Sequence, residues 1–146
     1  MLHLKSFSPD DGSPPRFDIS LDGTGTALET GVLLSLFLDR RADADDDVPK
    51  GADRRGFWAD VYEDNDHTGS KLWLLHRSKT IPDVIRDAQS FAEDALEWML
   101  RDGVASRIQV TVERDGTYTM HLTAVIDAPD GGRYQKTWRN ITFTGA

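Results

Sequence analysis

The residues of this chain with the clearest capacity for chemistry are three alternating aspartates, Asp43, Asp45 and Asp47. Carboxylates at this spacing are the first ligands of a calcium-binding EF-hand loop. That loop also needs glycine at its sixth position and glutamate at its twelfth, where this chain has Val48 and Arg54. The motif therefore fails, and we interpret the aspartates as part of a solvated acidic loop.

A second acidic group combines Asp60, Asp64 and Asp66 with His67. Such residues can hold a divalent metal that activates water, so a small metal-dependent hydrolase is one hypothesis. The other histidines do not support it, because no two histidines have the spacing of ligands on one helix and neither HxH nor HExxH occurs. No serine lies in a G-x-S-x-G sequence. The sequence therefore predicts no catalytic residue, no metal site and no cofactor.

Composition and charge exclude several classes of protein. The chain has 146 residues, which suits one domain, a net charge of −8 and no cysteine, so disulfides and thiolate metal sites are excluded. Its acidity disfavours nucleic acid and anionic membranes as partners. The N-terminus lacks the apolar core of a signal peptide, and the longest apolar run is too short to span a bilayer. We expect a protein kept, or assembled into something larger, in the reducing cytoplasm.

Two arginine pairs, Arg40-Arg41 and Arg54-Arg55, lie close in sequence to large aromatic residues. Arginine beside tryptophan and phenylalanine is typical of protein–protein interfaces. The pairs have two interpretations. They form surface salt bridges with the nearby aspartates, or they clamp carboxylates of a partner and fix the loop that carries Phe57 and Trp58.

Core packing is the default for tryptophan, but two of the four are predicted to reach an interface. Trp98 lies off the apolar stripe of its helix, and Trp138 lies on a suspected edge strand. The candidate partner-binding residues are Arg40, Arg41, Arg54, Arg55, Phe57, Trp58, Trp73, Trp98 and Trp138.

Local signals place these residues on a small number of elements. Alternating apolar residues over 17–21 predict a strand. Thr26 and Glu29 form a capping box that starts a helix extending to about Leu38. That helix is apolar on nearly every side, so two layers of this protein or a partner must cover it. Gly31 lowers its helix propensity, which predicts a close backbone approach there.

The middle of the chain is polar and the last part is regular. Residues 40–56 are predicted to be a long exposed loop, and residues 71–76 a short helix or strand. An apolar stripe at 3.6 spacing over 81–99 predicts a second helix that stops at Asp102-Gly103. Three strands follow, with a two-residue hairpin signal at Asp115-Gly116.

The third of these strands, over residues 134–143, changes which face its apolar residues occupy. Tyr134 and Trp138 share one face, whereas Ile141 and Phe143 lie on the other. This break in parity predicts a β-bulge, or an edge strand with two partners.

The order of elements predicts an α+β fold. Two main helices pack on a small antiparallel sheet that ends in a three-stranded C-terminal meander. We expect a flexible N-terminal arm over residues 1–15 and a single domain over residues 16–146. The sheet has edges, and its last strand is a natural place for another chain to pair.

Several segments resemble the small baseplate (tail) protein family of Mu-like phages. The segments are residues 28–42, residues 54–60 (Arg-Arg-Gly-Phe-Trp-Ala-Asp), residues 69–75 (Gly-Ser-Lys-Leu-Trp-Leu-Leu) and residues 95–105. The resemblance covers about residues 16–127. Phe57 stands where that family more usually has tryptophan, and the aspartate block is expanded.

That family is similar in turn to the sheath-initiator baseplate proteins of contractile tails. The resemblance implies a sheath-initiator-like fold and a structural role in a virion baseplate, without catalysis. It implies six copies around the central spike and tube, bound to wedge proteins and offering a sheet edge to the first ring of sheath protein. A free-standing binding or regulatory module encoded by a prophage remains the main alternative, since it fits the acidic surface equally well.

Overall fold

A computed structural model describes residues 3–20, 26–46, 48, 53–56, 68–77, 81–116 and 119–142. The elements in chain order are β1 (His3–Phe7), β2 (Arg16–Ser20), α1 (Ala27–Phe37), a 3-10 helix (Leu72–Arg77), α2 (Ile81–Arg101), β3 (Arg107–Arg114), β4 (Thr119–Asp127) and β5 (Arg133–Thr142). Strands β1 and β2 form one antiparallel sheet, and β3, β4 and β5 form a second in that order. The predicted α+β class with its C-terminal meander is confirmed.

The first strand is a departure from the predicted N-terminal arm. Residues 3–7 pair with β2, with Leu4 opposite Ile19 and Phe7 opposite Arg16. The Leu4 N–H also donates to Thr30 Oγ1 at 3.0 Å, which ties β1 to α1. The three prolines that suggested an arm all lie between β1 and β2. The prolines therefore lie in the connection between the two strands, where they do not disturb the pairing of β1.

Helix α1 begins as its capping residues predict. Thr26 is the N-cap, and its Oγ1 accepts from the Glu29 N–H at 3.0 Å. The helix packs against both β1 and α2, which bury Val32 and Leu36, whereas Leu34 stays 36% exposed. Two layers of this protein therefore cover most, but not all, of the apolar helix.

Helix α2 carries the apolar stripe into the core. Its buried residues face β3 and α1, and they are Val84, Ala88, Ala92, Ala95, Leu96 and Met99. The helix ends where predicted, because Gly103 takes the left-handed conformation (φ +74°) that closes many helices. A Cβ on Gly31 would lie 3.5 Å from side-chain atoms of Trp98 and Met99, which is ordinary contact with side chains and not the predicted close backbone approach.

The C-terminal sheet supplies the other half of the core. Alternate residues of β4 are buried, as the period-2 pattern predicts, and these are Met120, Leu122, Ala124 and Ile126. The predicted two-residue hairpin is wrong, because Arg114 lies opposite Met120 in the register of β3 and β4. The Asp115 N–H closes the connection on the Thr119 carbonyl at 2.9 Å.

The parity break in β5 is a β-bulge. Met120 pairs with Ile141 and Leu122 with Trp138, so two residues of β5 lie opposite His121. One of the two, Asn140, has φ +58°, and its N–H donates to His121 Nδ1 at 3.2 Å. The extra residue returns Ile141 to the face of the sheet that carries Trp138, because their partners Met120 and Leu122 share one face of β4.

Candidate partner-binding surface

The predicted arginine and aromatic residues meet in the segment that follows α1. We call Asp39, Arg40, Arg41, Arg54, Arg55 and Trp73 the Arg–Trp surface. Three stretches of chain build it: residues 38–42, residues 53–56, and residues 69–73, which lead into the 3-10 helix. No helix or strand contains any of its arginines, so side-chain and backbone bonds must position them.

A two-way backbone pairing joins the first and third of these stretches. The Arg40 N–H donates to the Ser70 carbonyl, and the Ser70 N–H donates to the Leu38 carbonyl, both at 2.9 Å. The Ser70 hydroxyl, which is buried, donates to the Leu36 carbonyl at 2.6 Å and satisfies the end of α1. Gly69 permits this pairing, because a Cβ at that position would lie 2.4 Å from the Leu38 carbonyl oxygen.

The second stretch turns sharply at Arg55 and Gly56. The Ala42 N–H donates to the Arg54 carbonyl at 2.9 Å, and the next two residues have φ +58° and φ +122°. A Cβ on Gly56 would stand 2.9 Å from the Cβ of Arg41. The Arg-Arg-Gly sequence therefore encodes a turn that only glycine accommodates at its third residue.

Arg55 is the best-connected side chain of the surface. Its Nη1 donates to Asp39 Oδ2 at 2.6 Å, and its guanidinium carbon lies 4.6 Å from the ring centroid of Trp73. The Trp73 indole N–H donates in turn to the Arg40 carbonyl at 2.8 Å. Arg55 and Asp39 keep 46% of their side-chain surface exposed, so this ordered cation–π pair faces solvent.

The other arginines act differently from one another. Arg54 Nη2 donates to the carbonyls of Asp43 and Asp46, so it holds the acidic loop by its backbone. Arg41 is exposed, and among the described residues it reaches only the Arg55 carbonyl, at 3.5 Å. Arg55 therefore forms a surface salt bridge with Asp39, as the first interpretation predicts, whereas the contacts in the second interpretation involve a partner or residues outside those described.

The acidic loop is ordered by a lysine that sequence reasoning missed. Lys71 Nζ lies 2.5 Å from Asp43 Oδ2 and 2.7 Å from Asp46 Oδ2. Burial works against the charged amine, but the two carboxylates outweigh it and raise the pKa of Lys71 above its ordinary value. The signal for this contact in the sequence is Lys71 itself, which directly follows Gly69 and Ser70.

The predicted aromatic residues do not all join this surface. Trp98 is half-buried between α1 and α2, where its indole N–H donates to Ser35 Oγ at 2.8 Å. Phe57 and Trp58 lie outside the described residues.

Trp138 corrects the prediction that it reaches an interface. Its side chain is 0% exposed, and its indole N–H donates to Ser6 Oγ at 2.9 Å. Phe37 packs edge-on against its ring at a centroid distance of 5.5 Å. The residue belongs to the core because the N-terminal segment covers β5, where the Arg139 N–H also donates to Ser8 Oγ.

The described residues contain no candidate metal centre. Within them, no group of three or more acidic or histidine side chains could hold a metal ion. The candidate hydrolase residues Asp60, Asp64, Asp66 and His67 lie outside the described part of the chain. No helix in the part that is described has the length and apolar character needed to cross a membrane. What the surface offers is directed hydrogen bonding, exposed charge and an aromatic face, which suit binding to protein.

Comparison with known proteins assigns most of the chain to one family. Residues 28–133 match the model of the family described as phage protein GP46. The chain is 44% identical over 121 residues to the protein named baseplate protein gp46 of Escherichia phage Mu, covering 80% of this chain and 83% of that protein. It is 37% identical over 113 residues to the Mu-like prophage FluMu protein gp46 of Haemophilus influenzae, covering 77% of each.

Proposed function

The chain belongs to the phage protein GP46 family, and we propose that it binds wedge proteins of a contractile tail through the Arg–Trp surface and initiates assembly of the sheath. Its role is that of a structural protein of the phage baseplate, in line with the name of its relative from phage Mu. Such a role requires binding surfaces and no catalytic group.

The position of the Arg-Arg-Gly turn carries this proposal. Arg55 and Gly56 have positive φ angles, which is unfavourable for an arginine, yet the turn is held by several bonds at the molecular surface. A turn that served only stability would not need an exposed arginine over a tryptophan. Strain maintained at an exposed site supports a binding role, and a pre-ordered arginine loses little entropy when a partner docks.

Sheath initiation requires a sheet edge, and the structure supports β3 better than the predicted β5. On β5, Lys136 Nζ donates to the Ser6 carbonyl and the Arg139 N–H donates to Ser8 Oγ, whereas no described strand pairs with the outer side of β3. The Asp115–Thr119 bond fixes the odd-numbered residues of β3 as those that face β4. Ile108, Val110 and Val112 therefore direct their backbone groups outward, where a strand of sheath protein would pair.

Assembly in the host cytoplasm and six copies around the central spike and tube complete the proposal. A closed ring uses the same surfaces on every copy, so the Arg–Trp surface of each of the six copies would bind a wedge protein. An acidic chain of net charge −8 would stay dispersed until its partners are made.

Co-expression with the neighbouring tail genes tests the wedge contact. We expect the tagged chain to recover wedge proteins and the Arg55→Ala variant to recover several-fold less, because the substitution removes both the Asp39 bond and the contact with Trp73. Half-exposed ion pairs add little to stability, so the free energy of unfolding of the variant should lie within about 1 kcal/mol of that of the parent.

Arg133→Ala is the matched control. Arg133 is also exposed and ion-paired, to Asp127, but lies on β5 away from the Arg–Trp surface. Equal recovery by both variants would refute the wedge contact at this surface. Failure of the folded parent chain to recover any tail protein would favour the free-standing prophage module instead.

A further inference from the structure

A cleft of about 190 Å³ lies beside the Arg–Trp surface, between the segment that follows α1 and the second half of α2. Its walls include Arg40, Asp43 and Lys71 on one side and Phe91, Asp94 and Glu97 on the other. Pockets for small molecules and cofactors are usually larger, at about 300–1,000 Å³. The volume instead suits one long side chain and the short stretch of backbone that carries it.

The lysine of this cleft is already neutralised. Lys71 Nζ bonds to both Asp43 and Asp46, and its side chain is only 17% exposed. Lys71, Asp43 and Asp46 are therefore already paired with one another. The charges with which a ligand can pair are those of the other residues that line the cleft.

Arg40 is the cation that lacks a partner. Its backbone is held on both sides, by the bond to Ser70 and by the bond from Trp73. Its Nε is buried and finds no hydrogen-bond acceptor among the described residues. An unsatisfied buried donor costs about 1–3 kcal/mol, so a shift of the Arg40 side chain that brings its Nε–H to an acceptor on a ligand is favourable.

The opposite wall is acidic and partly apolar. Asp94 and Glu97 lie one turn apart on α2, both exposed, and neither side chain forms an ion pair or hydrogen bond within the described residues. Phe91 precedes them by one further turn on the same face and is half-buried. Two free carboxylates next to an aromatic ring favour a long cationic side chain, whose apolar stem packs while its charge is paired.

We propose that this Arg40 cleft binds a basic polypeptide segment of a neighbouring baseplate protein. A main-chain carbonyl of the segment accepts from the Arg40 guanidinium, and a lysine or arginine side chain lies along Phe91 with its charge between Asp94 and Glu97. Only the assignment of the segment to a baseplate neighbour rests on the proposed function. The acidic wall repels a phosphate or an acidic peptide, which would otherwise suit a free arginine.

Two short peptides test the chemistry of the cleft on the isolated chain. The probes are acetyl-Gly-Lys-Gly-Arg-Gly-amide and acetyl-Gly-Glu-Gly-Asp-Gly-amide, titrated into chain labelled with ¹⁵N while the Arg40 Nε–H signal is followed by NMR. The Arg40→Lys variant, which lacks that signal, assigns it. The basic peptide should shift the signal to saturation, and the acidic peptide should leave it in place.

Charge-matched double variants separate the cleft from general attraction to an acidic protein. D94N/E97Q should weaken the Kd of the basic peptide by about tenfold or more, since two charged contacts are lost. E93Q/E113Q removes the same charge outside the cleft and should change the Kd by less than about twofold. An unmoved Arg40 signal, or equal weakening by both double variants, would overturn the proposal.

The same variants distinguish this inference from the proposed function in the co-expression experiment. Reduced recovery of wedge proteins by D94N/E97Q alone would support the cleft as a baseplate contact. Normal recovery by D94N/E97Q, together with the loss caused by Arg55→Ala, would refute the cleft as that contact while leaving the baseplate role in place.

Discussion

At the scale of single residues, Trp138 shows how one long-range contact separates a core residue from an interface residue. The sequence places it on the last strand, whose outer edge looks free for another chain. Its side chain is instead covered by Ser6, a residue 132 positions earlier, and by Phe37. No local pattern indicates this, because the contact depends on where β1 and β2 fold back over β5.

The first residue-scale prediction concerns this buried indole. Trp138→Ala should lower the free energy of unfolding by about 3–5 kcal/mol, as for other large aromatic residues removed from a core. Trp138→Phe keeps most of the packing and should cost clearly less. Chemical denaturation measures both, and a loss below about 1 kcal/mol for the alanine variant would show that the residue is not a core residue after all.

The second concerns a buried tyrosine near the start of α1. Burial first, and then the charge of Glu29, raises the pKa of Tyr134 far above its ordinary value of 10.0. Below pH 10 the phenol is neutral in both the folded and the unfolded chain. Above pH 10 it ionises only in the unfolded chain, so the stability that it contributes is lost as pH rises towards the folded pKa.

Tyr134→Phe should therefore lose less stability than the parent as pH rises from about 10 to 12. Near neutral pH, removal of the hydroxyl should change the free energy of unfolding by no more than about 1.5 kcal/mol, because the phenol is neutral in both the folded and the unfolded chain. Denaturation at a series of pH values measures the difference. Parallel curves for the two proteins would contradict the assignment.

At the scale of elements, local signals predict local structure and fail where distant segments decide. The cap at Thr26, the stripe of α2 and the alternation of β4 depend on neighbouring residues, and each is confirmed. β1 is missed because its partner and its support on α1 lie further along the chain. The β3–β4 connection is longer than its Asp-Gly signal suggests, because Thr119, rather than the residue after Gly116, closes it.

The candidate site shows the same division. Residue types and their clustering indicate the Arg–Trp surface, and the structure brings Arg40, Arg55 and Trp73 together. The sequence does not reveal that Asp39 pairs with Arg55 or that Gly56 must pass within 2.9 Å of Arg41 Cβ. Both depend on two loops meeting, which no periodicity encodes.

The element-scale prediction tests the contact between the two helices. A Cβ on Gly31 would touch Trp98 and Met99 at 3.5 Å, which is ordinary van der Waals contact. Since alanine is a better helix former by about 1 kcal/mol, Gly31→Ala should stabilise the chain by up to that amount. Gly31→Leu should destabilise it by about 1–3 kcal/mol through overpacking. A destabilising alanine, measured by thermal or chemical unfolding, would mean that the helices lie closer than described.

At the scale of the whole molecule, binding features gather on one side of the fold. The Arg–Trp surface and the Arg40 cleft share Arg40, and both depend on the bonds between residues 38–42 and Ser70. A single docked partner could therefore contact both. β3 lies on the separate C-terminal sheet, so its free edge provides a second contact for a different neighbour. A subunit that joins wedge to sheath needs two such sites.

The most direct test of the central claim is a cryo-electron microscopy map of tails purified after induction of the phage or prophage that encodes this chain. We predict six copies at the baseplate end of the tail, each with residues 54–56 against a wedge protein and β3 paired with a strand of sheath protein. Normal tails that lack the chain, or that form fully when its gene is deleted, would contradict it.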